Sequence, residues 1–316
     1  MSAETLLTAR VALLQALKAR NYHFITPTPA THARVLARRK GDTARDLRDV
    51  FGWSLPFARD LIGAELLDLM RKAEALDESG EVCASRVRAS SLGDDLFLHS
   101  AYPTTQRDAV FFGPDSYRFA DFIRAELPRF GPINRLADIG AGSGVGAVAA
   151  LRAAEISRLI LTDINPAALD LAKANVLNAT MTLASRAGMG IEVTETSGLE
   201  NIEAPLHVVI ANPPYIADPL HRAYRDGGDM HGAALSLDWA RQAAEKLAQG
   251  GALLLYTGSA IVNGEDRLKA ALMETLGGFD VSYRELDPDV FGEELERADY
   301  ADVERIAVVG VVAVKR

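Results

Sequence analysis

A single cysteine, Cys83, stands among 316 residues, which excludes an internal disulfide and a cysteine-based metal cluster. A reducing, cytoplasmic setting is expected, with Cys83 as a small half-buried apolar residue. The six histidines (His23, His32, His99, His207, His221, His231) have no metal-ligand spacing, so no metal is expected. Long apolar runs are absent too. The longest, Ile306 to Val314, has nine residues, against roughly 20 for a membrane-spanning helix, and reads as a buried strand. The first twenty residues are an amphipathic pattern carrying Glu4, Arg10 and Lys18, not a signal peptide. Positive charge is also scarce: 34 Lys and Arg face 43 Asp and Glu, for a net charge of −9. What little there is clusters early. Residues 1–48 hold nine basic residues against three acids, a surplus of six, which leaves −15 on residues 49–316. So acidic a remainder is a poor partner for naked nucleic acid. Arg34, Arg38, Arg39 and Lys40 fit phosphate contact and a solvated helix face equally well.

What is present is an ordinary globular composition, 48% hydrophobic and 24% charged, long enough to bury a large core. From Glu4 to about Ala75 the pattern is helical, with Leu6, Leu7, Val11, Leu14 and Leu17 at helical spacing, then Val35 with Leu36, then Phe57 to Met70. Glu81 to Ser90 and Leu96 to Tyr102 alternate like strands around a Gly93-Asp94-Asp95 turn. Thereafter strands are expected near 135–140, 158–163, 190–195, 206–211, 251–257, 280–286 and 305–315. Helices are expected near 117–126, 143–154, 166–178, 233–248 and 265–276. The expected organisation is a helical module with a β-hairpin over residues 1–105, then an α/β doubly wound, seven-stranded Rossmann-like sheet over 106–316.

Two motifs carry chemistry. The strand ending in Asp138-Ile139 runs into Gly140-Ala141-Gly142-Ser143-Gly144, where glycines admit a ligand close to the backbone. The next strand ends at Asp163, followed by Ile164 and the helix cap Asn165-Pro166. Strand, Gly loop, helix, strand, acid is a nucleotide-site pattern, the acid placed for two ribose hydroxyls. Gly142-Ser143-Gly144-Val145-Gly146-Ala147 also fits a dinucleotide fingerprint, but Asp138 would repel a pyrophosphate. The second motif, Asn212-Pro213-Pro214-Tyr215, closes the strand Leu206 to Ile210 and has no part in hydride transfer. Two prolines fix a rigid notch. The Asn212 amide oxygen and the carbonyls there can accept hydrogen bonds from an NH2 group, and Tyr215 can stack on a planar one.

Asp138 to Gly144, Asp163 and Asn212 to Tyr215, in this order and spacing, resemble the class I S-adenosylmethionine-dependent methyltransferases that methylate amino groups. Phe111-Phe112-Gly113-Pro114-Asp115-Ser116 and Arg225-Asp226-Gly227-Gly228-Asp229 narrow the resemblance to HemK-like enzymes, which methylate a glutamine of translation release factors. Ribosomal RNA base methyltransferases share most of it. The resemblance implies a strand order 3-2-1-4-5-7-6 with the last strand antiparallel, and S-adenosylmethionine as cofactor. It implies cofactor contacts from Pro114, Asp115, Asp138, Gly140, Ala141, Gly142, Gly144, Asp163, Ile164, Asn165 and Ser197. Catalytic contacts fall to Asn212, Pro213, Pro214 and Tyr215. Three departures stand out. Glu-Pro-Arg before the Gly-Gly is missing, Thr196-Ser197-Gly198 replaces an acid after the third strand, and Tyr256-Thr257-Gly258-Ser259 replaces a Glu-containing strand end.

The implied chemistry is methyl transfer to a planar nitrogen of a macromolecule, either a protein glutamine or an adenine or guanine exocyclic amine of RNA or DNA. An oxidoreductase and a non-catalytic cofactor-binding module are the alternatives from other classes. The acidic catalytic part favours a protein acceptor, while the basic early segment leaves nucleic acid open.

Overall fold

Strands such as Leu206–Ala211 and Ile156–Asp163, apolar for most of their length and set between helices, are satisfied only inside a sheet covered on both faces. A computed structural model describes residues 2–183, 188–218, 222 and 224–316 of the chain and contains that sheet. His221 lies outside the described residues. The chain begins with helices α1 (Ala3–Ala19), α2 (Pro29–Arg38), α3 (Leu47–Phe51) and α4 (Ala64–Lys72). Short strands β1 (Leu76–Asp77) and β2 (Ala84–Ser85) pair with each other, and β3 (Val87–Leu92) forms a hairpin with β4 (Asp95–Ser100). There follow α5 (Pro114–Glu126), β5 (Ile133–Ile139), α6 (Val145–Ala153), β6 (Ile156–Asp163), α7 (Pro166–Thr180), β7 (Gly190–Glu195) and β8 (Leu206–Ala211). The chain ends with α8 (Asp229–Gly232), α9 (Ala234–Lys246), β9 (Leu247–Val262), β10 (Glu265–Asp266), α10 (Arg267–Thr275), β11 (Phe279–Asp287) and β12 (Arg305–Lys315).

The main sheet runs β7-β6-β5-β8-β9-β12-β11, with β10 paired to β9. Counted from β5, and with β10 set aside, this is the order 3-2-1-4-5-7-6. Strands β5 to β9 are parallel and β12 runs antiparallel to both its neighbours. Alternate side chains feed two cores. Leu136, Leu159, Val208 and Leu254 face one side with α5, α6 and α7, and Ala137, Ile160, Val209 and Leu253 face the other with α9 and α10. Between β5 and β8 the strand order reverses, and the register aligns Ile139 with Thr162 and with Ala211. The residues that follow these strands therefore meet at one edge, where such sheets bind ligands.

The first four helices are anchored to this sheet through a shared core. Leu13, Leu14 and Leu17 of α1 and Leu66 and Met70 of α4 lie in one apolar cluster with Ala168 and Leu171 of α7. Cys83, expected to be half-buried, is fully buried in that cluster.

Most element boundaries fall where expected; the differences have local causes. The helix expected from Phe57 starts at Ala64, because Phe57 pairs with Cys83 as a β-bridge and Gly63 has φ +76°. The strand expected over 81–90 divides: Ala84 and Ser85 pair back with β1, and β3 starts only at Val87. The helix expected from Ser143 starts at Val145, since Gly144 is left-handed at φ +75°. Helix α5 starts at Pro114 rather than 117, with Pro at its first turn and the Ser116 hydroxyl accepting from Gly113 N–H at 3.2 Å.

Asp95, expected in the hairpin turn, lies inside β4 opposite Leu92, leaving Gly93-Asp94 as the two-residue loop. The cause is long-range. Buried Asp95 accepts two hydrogen bonds from Arg152 at the end of α6, at 2.6 and 3.0 Å, and Arg152 also donates to the carbonyl of Ala179 on α7. Replacing Asp95 with Ala strands that guanidinium. The expected loss is about 1.5–3 kcal/mol, the scale of a hydrogen bond to a charged group, read as a lower urea midpoint at unchanged slope.

Candidate active site

Gly140, immediately after β5, has φ +62°, and a Cβ there would collide with the ring of Trp239 from α9. Only glycine lets the loop bend this closely over the helix. Asp138, just before it, is 1% exposed, and its Oδ2 accepts from the Ala147 N–H at 2.8 Å, tying β5 to the first turn of α6. Burial lifts its carboxyl to about 7, and the charge of Asp163 adds to the shift.

Asp163 terminates β6. Its Oδ2 accepts from Gly142 N–H and its Oδ1 from Asn165 N–H, both at 2.9 Å, so it shapes the Gly loop across the gap between strands. Burial raises its pKa as well, partly offset by those N–H groups. Asn165 caps α7, its side chain accepting from Ala167 N–H at 3.0 Å and donating to the carbonyl of Asp108 at 2.8 Å. Between them Ile164 is 58% exposed, an aliphatic side chain left bare on the cavity wall. Ser197 lies beyond β7 on the same wall. Pro114 and Asp115 open α5.

Asn212-Pro213-Pro214-Tyr215 leaves the end of β8. The Asn212 side chain is half-buried and, like the carbonyl of Pro213, makes no hydrogen bond among the described residues. Tyr215, in contrast, is only 6% exposed and firmly held: its hydroxyl donates to Asp115 and its ring stands edge-on to Phe291 at 5.8 Å. The segment from Gly227 to Gly232 is laid across this turn. Gly227 N–H donates to the carbonyl of Ile216 at 2.9 Å, and a Cβ at Gly227 would strike the carbonyls of Gly232 and Pro214.

The residues expected for the site, Gly144 excepted, line one cavity of about 570 Å³, within the usual size for a small-molecule site. Gly144 sits behind the loop, packed against Ala172. Several wall residues were not among the expected contacts. Phe111 stacks on Tyr224, Asp289 to Phe291 form a rim, and Trp239 forms part of the wall. The buried indole N–H of Trp239 has no partner among the described residues. Thr28, Pro29, Ala30 and Arg34 of the α2 region also reach the cavity, an approach that only tertiary packing reveals.

The basic cluster divides. Arg39 is consumed by Asp49, at 2.5 and 2.7 Å, and by Asp42 at 3.2 Å, so it belongs to the framework of the first helices. Arg34, Arg38 and Lys40 are exposed and without an ion-pair partner among the described residues.

Residues 121–283 match the family described as the methyltransferase small domain. The chain is 30% identical over 206 residues to a release factor glutamine methyltransferase of Deinococcus radiodurans, covering 62% of this chain and 70% of that one. It is 27% identical over 278 residues to a release factor glutamine methyltransferase of Cereibacter sphaeroides, covering 83% of this chain and 92% of that one. Among solved structures, the 16S rRNA N2 G1207 methyltransferase of T. thermophilus is 15% identical, with a TM-score of 0.46 over 79% of this chain and 61% of that one.

The raised carboxyl of Asp138 has a measurable consequence. A carboxyl with an ordinary pKa of 3.8 unfolded and about 7 folded binds its proton more tightly in the native state. Stability therefore falls as pH rises from about 4 to about 7, by up to roughly 4 kcal/mol. Asp138→Asn removes the buried charge and can still accept from Ala147 through its amide oxygen. The variant is expected to melt higher than the parent at pH 8 and close to it at pH 5, measured without added ligand. An equal difference at both pH values contradicts the assignment.

Proposed function

Because the chain belongs to the methyltransferase small domain family and is an S-adenosylmethionine-dependent N-methyltransferase, we propose that its acceptor is a glutamine amide of a protein in the translation machinery. The observation that carries this reading is the pairing of two unused acceptors, the Asn212 amide oxygen and the Pro213 carbonyl, at the edge of an acid-lined cavity. Two acceptors on a fixed turn suit the two N–H bonds of one NH2 group.

The residues fit the cofactor. Asp138 is a buried carboxylate and Asp163 a half-buried one, both with raised pKa values, an arrangement that favours a cationic ligand. Bare Ile164 and the orphaned indole N–H of Trp239 suit a flat, polar-edged base. In this reading Asp163 holds the ribose hydroxyls, the Gly140–Gly144 loop admits the ligand to the backbone, and Ile164, Asn165 and Ser197 border the base. Pro114 and Asp138 would stand toward the cofactor's methionine end. When bound, S-adenosylmethionine supplies a methyl group on a positively charged sulfur.

The acceptor is an amide, whose nitrogen lone pair is delocalised into the carbonyl. Asn212 and Pro213 accept its two N–H bonds, concentrate electron density on the nitrogen and stabilise the positive charge that grows there. Rigid Pro213-Pro214 and the anchored Tyr215 fix the amide plane, and such positioning is worth up to roughly 7–11 kcal/mol in favourable cases. No general base is required of the protein, because the nitrogen proton becomes acidic as the methyl arrives.

Residues 1–105 serve as the acceptor-reading module and residues 106–316 as the catalytic domain. Thr28 to Arg34 reach the cavity from the module, so a large acceptor meets both parts at once. Arg34, Arg38 and Lys40 are free to meet the acceptor's surface. Their lack of partners also sustains a second reading, methylation of an RNA base. A buried lone thiol at Cys83 fits a reducing cytoplasm.

Transfer of radiolabelled methyl into lysate of a strain lacking the gene separates the two readings. Label lost to protease supports the glutamine reading, and label lost to ribonuclease replaces it with the base reading. Asn212→Ala is expected to cut turnover about 10²-fold, the scale of losing one aimed polar group, with the cofactor dissociation constant unchanged. Full turnover in that variant sinks the mechanism. Asp163→Ala is expected to weaken cofactor binding in calorimetry, and an unaltered constant refutes the ribose assignment.

A further inference from the structure

Among the carboxylates that line the cavity, Asp115 is bonded by phenols. Its Oδ2 takes the hydroxyl of Tyr215 and its Oδ1 that of Tyr256 at 3.2 Å. The nearest cation, Arg118, stands 3.4 Å away on a side chain 43% exposed and is shared with Asp287 at 3.1 Å. A carboxylate held like this is costly to bury, and burial keeps Asp115 above the ordinary carboxylate range. Nothing about folding α5 demands it, since the helix already starts on Pro114 with Ser116 completing its cap.

What the arrangement does achieve is to fasten Tyr215 on several sides. Asp115 holds its hydroxyl and Phe291 meets its ring edge-on. Gly258, two residues beyond Tyr256 on β9, lies so close that any Cβ there would collide with the ring. Tyr256 is itself fully buried in the strand, packed beside Phe119 of α5. Strand β9, helix α5 and the turn after β8 therefore converge on one carboxylate.

We propose that Tyr256 and Asp115 are positioning residues for methyl transfer: Tyr256 orients the Asp115 carboxylate, which holds Tyr215 and through it the Asn212-Pro213 acceptor pair. The inference rests on the role proposed for that turn. In this proposal Asp115 acts as a bracket and not as a cofactor ligand. The Tyr256 hydroxyl supplies the Asp115 carboxylate with a donor that an acidic side chain in its ionised form would lack.

The test uses the full-length protein, S-adenosylmethionine and the labelled-lysate assay. Tyr256→Phe keeps the ring and removes one hydroxyl. It is expected to lower the transfer rate at saturating cofactor about tenfold, the kinetic equivalent of one hydrogen bond to a charged group, with the dissociation constant for S-adenosylmethionine within about twofold of the parent. Asp115→Asn is expected to lower the rate further at the same cofactor affinity. The double variant is expected to be no slower than Asp115→Asn alone, because the hydroxyl acts only through the carboxylate. A parental rate in Tyr256→Phe overturns the proposal. So does a loss seen only in cofactor affinity, which makes Asp115 a cofactor ligand. Should Asp115→Asn fail to fold, Tyr256→Phe alone decides. A parent that transfers no label at all overturns the functional reading instead, and the proposal with it.

Discussion

Everything about this site follows from carboxylates buried at the ends of parallel strands. Asp138 and Asp163 are withdrawn from water and stabilised chiefly by backbone N–H groups, with no cation paired to either among the described residues. In a protein such groups shift toward the neutral form unless a positive charge arrives. Here they frame a cavity instead of a packed core. The Gly loop, the bare Ile164 and the indole of Trp239, unpartnered among the described residues, line the same cavity. The protein holds this arrangement against its own stability, as functional sites commonly do.

The second half of the site obeys the opposite rule. Around Asn212-Pro213-Pro214-Tyr215 the close contacts are several: Tyr215 is held by Asp115 and Phe291, the Pro214 carbonyl is approached by Gly227, and the Tyr215 backbone by Gly232. The Asn212 amide oxygen and the Pro213 carbonyl make no hydrogen bond among the described residues. A preorganised pair of acceptors needs no rearrangement when charge develops on the nitrogen, which is where such a turn gains its effect. Thr28, Pro29, Ala30 and Arg34 of the α2 region border the same cavity.

The sheet was readable because its signals are local. The apolar run at Ile306 to Val314 allowed little but a buried strand, and Asn165-Pro166 caps and opens α7 as residue types dictate. Asp138, Gly140, Asp163 and Asn212 could be placed together because each follows or ends a recognisable strand, and the sheet's register does the rest. What could not be read depends on distant partners. Asp95 resembles a turn residue until Arg152 is seen beside it, and Arg39 resembles a free cation until Asp49 is. Tyr256 stood out in the sequence only as a departure from a Glu; its meaning came with the Asp115 carboxylate 141 positions earlier. The approach of Arg34 to the cavity had no sequence signal whatever.

Proton-linked calorimetry tests the central claim most directly. Titrating S-adenosylmethionine into the protein at pH 6.5, in buffers of different ionisation enthalpy, counts the protons exchanged on binding. If a buried carboxyl near pKa 7 awaits a cation, binding releases roughly half a proton or more. S-adenosylhomocysteine, which lacks the sulfonium charge, releases less. Binding without proton release, or with equal release for both ligands, contradicts an account built on unpaired buried carboxylates.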